Sequence, residues 1–141
     1  MEVYRHLHCD MININDISIN HAKGFGFGYV ERNNIFEVDG DIAKILFTNS
    51  RDVLEKIRDK IEAETSELNV RFSNDVFLEV FNAETDKGKG VLTLADILGI
   101  DRCDIYTAGD QENDLDLLAA AEIAFAPKNA VPSVIASADV V

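Results

Sequence analysis

The chain has 141 residues, 47% hydrophobic and 28% charged, with a formal net charge of −13. This length and hydrophobic content allow one or two small domains with a buried core and exclude a wholly disordered chain. The negative charge argues against nucleic acid and anionic membrane surfaces as partners. The sequence has two cysteines, Cys9 and Cys103, no signal peptide and no apolar run that could span a bilayer. A cytoplasmic protein with reduced thiols is therefore expected.

The first forty residues contain two patterns that resemble ligand sites. The segment HLHCD, residues 6–10, offers imidazole and thiolate groups for a transition metal. It has no partner cluster downstream, so an ordinary loop or strand edge is favoured. The segment GFGFG, residues 24–28, could cradle phosphate, but it lacks the strand before it and the helix after it that a dinucleotide fingerprint needs. It predicts a turn that leads into a strand over residues 29–38.

The middle of the chain has a regular α/β pattern. A strand is predicted over residues 42–47, with Ser50 as the N-cap of a helix over residues 51–63. The apolar positions Val53, Leu54, Ile57 and Ile61 recur at helical spacing on that helix. The segment VRFSNDVFLEVF, residues 70–81, then predicts two strands joined by a Ser-Asn-Asp turn.

A lysine opens the next predicted helix. In the segment DKGKGVLTLADILGI, residues 86–100, apolar residues again recur at helical spacing after Lys87, and Gly99 is a natural stop. Alone, Lys87 would be a solvated surface residue, and Lys89 is a second candidate for the same role. Beside an acidic metal loop, a lysine here could offset the charge of phosphate and carboxylate groups.

The segment GDQENDLDLL, residues 109–118, carries the strongest signal. It follows a predicted buried parallel strand over residues 104–108, so Asp110 falls at the carboxyl end of a strand, where open α/β sheets place their ligands. Asn113 and Asp114 fall in the first turn of a helix predicted over residues 112–121. Mg²⁺ prefers a few carboxylates with water and phosphate oxygens, which Asp110 and Asp114 could help to supply. The alternative is that the two acids only stabilise a helix N-terminus through its dipole.

After these motifs come a strand over residues 123–126, a loop ending in Asn129-Ala130, and a helix over residues 131–138. In this order, the lysine helix, the GDxxND loop and the Asn-Ala loop resemble the second half of a haloacid dehalogenase (HAD) superfamily phosphatase, in particular the Cof-like hydrolases. The resemblance is strong over residues 77–141 and weak before residue 42. Pro127 and Lys128 depart from it, because many relatives carry Met-Gly there.

The resemblance implies a role for each site residue. Asp110 would ligate Mg²⁺ directly, and Asp114 would hold it through water or fix the loop. Lys87 would contact the phosphoryl group and the nucleophile. Asn113 and Asn129 would be polar contacts near the phosphate. The substrate would be a small phosphorylated metabolite, as in the family.

The nucleophile motif of that family, DxDGT on an N-terminal strand, is not found in this sequence. The tripeptide Asp39-Gly40-Asp41 follows an apolar run, and the later segment ILFTN looks like the family's Ser/Thr motif. Thr48 lies only seven positions after Asp41, too few for the crossover between neighbouring parallel strands. A turn at Asp39-Gly40 between strands is therefore favoured.

These observations predict an α/β chain with part of a HAD-like, Rossmann-like three-layer core and part of an α/β cap. Residues 1–81 would be the partial cap, and residues 82–141 the C-terminal part of the core. Both ends look cut, so the chain would be a truncated phosphatase without its nucleophile. The alternative is a non-catalytic remnant that binds Mg²⁺ or phosphate, or serves as an interaction module. A P-type ATPase domain is disfavoured, because the sequence has no DKTGT-like motif and no membrane span. Self-association through an open sheet edge is expected.

Overall fold

The computed structural model describes all of residues 1–141, and the chain divides into two compact units. Unit 1 comprises Met1–Ala83 and unit 2 comprises Glu84–Val141. Each unit combines strands and helices, so the predicted α/β class is confirmed. None of the helices has the length and apolar character needed to cross a membrane.

Unit 1 is built on a six-stranded mixed sheet with the strand order β3-β2-β1-β4-β6-β5. Only the β2–β3 pair is parallel, and the other neighbours are antiparallel. A register shift between Phe72 and Asn74 marks an irregularity in β5. The strands are β1 (Glu2–Arg5), β2 (His8–Ile12), β3 (Val30–Arg32), β4 (Lys44–Thr48), β5 (Leu68–Asn74) and β6 (Phe77–Asn82).

Two helices cover opposite faces of this sheet. Helix α1 (Asp16–Phe25) packs Ala22 on Cys9 and Met11. Helix α2 (Arg51–Glu64) packs Leu54 on a core of buried strand residues. Successive strand residues point to opposite faces, and the register puts the two contact sets on different sides. The core under α2 consists of Leu54, Val70, Phe72, Leu78 and Val80.

Unit 2 has a two-stranded parallel sheet flanked by three helices. Strand β7 (Tyr106–Ala108) pairs with β8 (Ile123–Phe125), and Phe125 forms a single further bridge to Val140. The helices are α3 (Lys87–Leu98), α4 (Leu115–Ala120) and α5 (Pro132–Ser137). The core of this unit is small and rich in alanine: Leu118, Ala124, Ala126, Ala130 and Val134.

Several predicted elements of unit 1 are present with changed bounds. The helix predicted over residues 51–63 is α2, and Ser50 occupies its N-cap position without a side-chain capping bond. Val53, predicted on the apolar face, is exposed. The hairpin of residues 70–81 is β5 and β6, but its turn lies at Asp75-Val76.

The strand predicted over residues 29–38 was wrong for most of its length. Only β3 is extended, and a 3₁₀ helix follows at Ile35–Glu37. The side chain of Asn34 accepts a hydrogen bond from the amide of Phe36 (3.0 Å), which favours a helical turn over a continued strand. Helix α1 was not predicted, although Asn15 and Ser18 form a capping box at its start.

In unit 2, the buried strand predicted over residues 104–108 is shorter and more exposed. Asp104 ends a 3₁₀ helix (Arg102–Asp104), held by a bond from its amide to the Asp101 carbonyl (2.9 Å). Tyr106, the first residue of β7, is 59% exposed. The helix predicted over residues 112–121 begins as a 3₁₀ turn (Glu112–Asp114) and continues as α4.

Candidate active site in unit 2

The lysine helix is anchored at its first turn. The side chain of Asp86 accepts a hydrogen bond from the Lys89 amide (2.7 Å), which caps α3 and makes Lys87 its first helical residue. Gly88 then lies against α4 so closely that a Cβ built there would be 2.2 Å from the carbonyl oxygen of Asp116. Only glycine allows this approach, which sets the start of α3 against the acidic loop.

The acidic loop folds back on itself around Asp114. One carboxylate oxygen of Asp114 accepts hydrogen bonds from the amides of Asp110 (3.0 Å) and Gln111 (3.3 Å). The other oxygen accepts a hydrogen bond from the ammonium of Lys87. A Cβ at Gly109 would be 2.4 Å from the Cβ of Asp114, so glycine is required there as well. Asp114 therefore braces the loop and binds Lys87 through a single carboxylate.

The electrostatics of Asp114 favour its ionised form. Its side chain is buried, and burial alone would raise its pKa. The hydrogen bond from Lys87, the amides of Asp110 and Gln111, and the Lys87 charge more than compensate, and the pKa lies below its ordinary value. The Asp114 carboxylate is therefore ionised at neutral pH.

Asp110 differs from Asp114 in its exposure and in the hydrogen bonding of its carboxylate. It follows β7 at its carboxyl end, and its side chain is exposed and makes no hydrogen bond or ion pair. Its backbone is held in place, because its amide donates to Asp114 and its carbonyl accepts from the Val131 amide (3.0 Å). A fixed backbone with a free carboxylate is what an ion-binding aspartate needs.

The two predicted amide contacts lie on loops at the same edge of the sheet. Asn113 is partly exposed within the 3₁₀ turn, and Asn129 is exposed in the turn after β8. Neither side chain makes a hydrogen bond. The backbone bond between Val131 and Asp110 connects the two loops. Both amides are therefore available to a ligand near Asp110.

The donor set fits a Mg²⁺ ion. It offers only oxygen atoms, one free carboxylate at Asp110 and one braced carboxylate at Asp114, and Mg²⁺ commonly binds through one or two carboxylates with water and phosphate oxygens. The chain has no group of three or more His, Cys, Asp or Glu side chains that could hold a metal. Oxygen donors alone suit a hard cation better than a softer transition metal, which prefers imidazole and thiolate ligands.

The alternative sites considered from the sequence do not form in unit 1. In HLHCD, His6 and His8 are exposed while Cys9 and Asp10 are buried. Burial raises the pKa of the Cys9 thiol to about 11, with a contribution from the Glu2 carboxylate, which disfavours the thiolate that metals bind. Asp10 is held by Arg5 (2.5 Å) and Arg32 (2.7 Å).

The other two segments also have structural explanations. Asp39 is exposed in a loop after the 3₁₀ helix, with Gly40 at a φ of 84°. It does not follow a strand, as the nucleophile of the family does. The GFGFG segment spans the end of α1, where Gly26 takes the left-handed conformation that stops the helix.

Sequence reasoning missed three residues of this region. Gly88 and Gly109 appeared only as parts of motifs. The close contact that requires glycine at position 88 is with Asp116 of α4, and the one at position 109 is with Asp114 in the same loop. The hydroxyl of Thr107, in the middle of β7, is buried without a hydrogen-bond partner. No local sequence signal identifies any of these contacts.

Comparison with known proteins connects this geometry to a family. The sequence model of the haloacid dehalogenase-like hydrolases matches residues 3–141. A phosphoglycolate phosphatase of Methanopyrus kandleri is 50% identical over 56 residues, which are 40% of this chain and 24% of that protein. The 5-amino-6-(5-phospho-D-ribitylamino)uracil phosphatase YwtE of Bacillus subtilis is 32% identical over 104 residues, 70% of this chain and 34% of that protein.

The fold comparison agrees. A haloacid dehalogenase-like hydrolase from B. subtilis superposes with a TM-score of 0.84 at 20% identity, over 99% of this chain and 58% of that one. The chain therefore spans about a quarter to a third of these curated relatives and somewhat more than half of the solved chain. The resemblance to Cof-like phosphatases is confirmed, and the chain belongs to the haloacid dehalogenase-like hydrolase family.

Proposed function

We propose that this chain supplies the lysine helix and the metal loop of a Mg²⁺-dependent phosphomonoester hydrolase. The observation that carries the proposal is the contrast between two aspartates four residues apart. Asp114 is bound by Lys87 and two backbone amides, whereas Asp110 projects a free carboxylate from a fixed backbone. In this proposal unit 2 is part of the catalytic core and unit 1 is part of the cap.

Each residue of the loop has a distinct part. Asp110 would ligate the metal directly, and Asp114 would hold it through water or fix the loop. Bound Mg²⁺ would neutralise charge on the phosphoryl oxygens. Lys87, oriented by Asp114, would place its ammonium beside the phosphoryl group. Asn113 and Asn129 would orient the same group through their free amides. Small phosphorylated metabolites are the proposed substrates, and the two curated relatives are named for compounds of this kind.

The first test separates the metal loop from its acidic surroundings. Asp110→Ala should abolish Mg²⁺ binding, whereas Asp116→Ala, which removes a nearby carboxylate of α4, should leave the affinity unchanged. Calorimetric titration of both variants and the parent with MgCl₂ measures the difference. Equal affinity in Asp110→Ala and the parent would remove this site from the proposal.

The second test concerns catalysis by these residues alone. The sequence has no DxDGT motif, and removing the central member of a nucleophilic unit leaves only a small residue of the rate. We expect negligible hydrolysis of p-nitrophenyl phosphate by the purified chain with saturating Mg²⁺. Robust hydrolysis that disappears in Asp39→Asn would instead identify Asp39 as the nucleophile.

The proposal also includes a second function, a cellular location and an association state. The second function considered is a non-catalytic Mg²⁺-binding, phosphate-binding or interaction module. A DxDGT motif in the reading frame upstream of Met1, which only the hydrolase requires, distinguishes the two. A cytoplasmic location is proposed because neither the buried Cys9 nor the exposed Cys103 forms a disulfide. Self-association is proposed because β7 pairs on one edge only.

A further inference from the structure

The turn after β8 is fixed beside the metal loop. The Ala130 amide donates to the Pro127 carbonyl (2.9 Å), so Lys128 and Asn129 are the two central residues of a tight turn. The next amide, of Val131, donates to the carbonyl of Asp110 (3.0 Å). Because β7 and β8 are parallel, both loops leave the same edge of the sheet. Lys128 is thus held on the loop that neighbours Asp110.

Each of the other basic side chains of unit 2 has a hydrogen-bond or ion-pair partner. Lys87 donates to the Asp114 carboxylate, Lys89 pairs with Asp86 (3.4 Å), and Arg102 donates to the Ala119 carbonyl (3.0 Å). Lys128 is exposed and makes no hydrogen bond or ion pair. It is the one basic side chain of this unit that makes neither a hydrogen bond nor an ion pair.

A lysine without an ion-pair partner matters here because the metal loop is acidic. Asp110, Glu112 and Asp114 place three acidic side chains within five residues, in a chain of net charge −13. The Lys87 charge is largely offset by its own partner, Asp114. Bound Mg²⁺ would offset the loop carboxylates and the phosphoryl group, so a second anionic group on the ligand needs a further cation near Asp110, and Lys128 lies on the adjoining turn.

We propose that Lys128 is a specificity residue that recognises a second anionic group, such as a carboxylate, on a phosphorylated ligand. The inference rests on the proposed function, because it takes the phosphoryl group to lie at Asp110 and Lys87. Lys128 then favours phosphomonoesters that carry another negative charge close to the phosphate. A charge-assisted hydrogen bond to that group distinguishes them from esters with an apolar end.

Two ligands with the same skeleton test the proposal. Phosphoglycolate and ethyl phosphate differ only in a carboxylate that replaces a methyl group. With saturating Mg²⁺, calorimetric titration of the full chain should show phosphoglycolate binding about tenfold more tightly, the ratio expected for one charge-assisted contact. Lys128→Met should bring the two affinities together, and Lys128→Arg should preserve the preference.

A matched control removes the same charge elsewhere. Lys56 is an exposed residue of α2 in unit 1, and Lys56→Met should leave the ratio of the two affinities unchanged. If both ligands bind and Lys128→Met keeps the preference or weakens both equally, Lys128 is not a specificity residue and the metal loop proposal stands. If the parent chain binds neither ligand with Mg²⁺, the proposed function fails and this inference fails with it.

Discussion

Unit 1 and unit 2 bury their apolar residues in different ways. In unit 1, the large side chains Leu54, Phe72 and Leu78 are at most 1% exposed between α2 and the six-stranded sheet. In unit 2, the two-stranded sheet offers little surface to its helices, and Ile97 and Leu98 of α3 are 75% and 61% exposed. A sheet of two strands is too small to cover three helices. Unit 1 therefore buries its large apolar side chains within its own elements. Unit 2 carries the candidate site although apolar side chains of its helix α3 remain exposed.

The largest expected effect of this difference is on association state. The unpaired edge of β7 and the exposed face of α3 are features that mark interfaces. Light scattering coupled to size exclusion, run over a dilution series, should show a dimer at high concentration. Ile97→Lys should shift the mass to that of a monomer.

The control for this prediction lies in the other unit. Phe36 of unit 1 is 94% exposed, and Phe36→Lys changes the net charge by the same amount without touching α3 or β7. It should leave the dimer intact. A monomer at every concentration, with cooperative thermal unfolding, would show that unit 2 needs no additional cover.

A second prediction tests how tightly unit 2 packs its backbone around the site. Gly88→Ala places a methyl group against the Asp116 carbonyl and should lower the free energy of unfolding by about 1–3 kcal/mol. Gly90→Ala, two residues later in α3, meets nothing within 4 Å and should raise it by about 0.5–1 kcal/mol. Urea denaturation of both variants measures these values. Similar effects at the two positions would contradict the close packing of α3 on α4.

The smallest expected effect concerns pH and Asp114. Its pKa in the folded chain is below the ordinary value, so its ionised form stabilises the fold above the unfolded pKa of about 3.9. This contribution is lost as the pH falls through the lower, folded pKa. Because Lys87 is about half exposed, the contribution is on the order of 1 kcal/mol.

Urea denaturation between pH 7 and acid conditions tests this. The stability of Asp114→Asn should fall less steeply on acidification than that of the parent chain. Asp116→Asn, whose carboxylate makes no hydrogen bond or ion pair, should behave like the parent. An unchanged slope in Asp114→Asn would mean that Lys87 and the loop amides do not depend on this charge.

The elements with strong periodicity were predicted well, and those governed by side-chain hydrogen bonds were not. The apolar spacing of α2 and the glycine at the end of α3 are local signals, and both elements are found near their predicted bounds. Helix α1 and the 3₁₀ turn at Ile35–Glu37 depend on the side chains of Asn15 and Asn34, which compete with the pattern of apolar residues.

For the candidate site, the sequence by itself predicted which residues belong to it. The order of Lys87, Asp110, Asp114 and Asn129 along the chain indicated the family, which the comparisons confirm, and predicted the chemistry of the groups. The tertiary structure decided how the two aspartates differ: the packing of Gly88 on α4 brings Lys87 to Asp114, which leaves Asp110 free. The difference between the two aspartates depends on contacts between residues as much as 28 positions apart in the sequence. A local sequence pattern does not specify which distant residues come into contact.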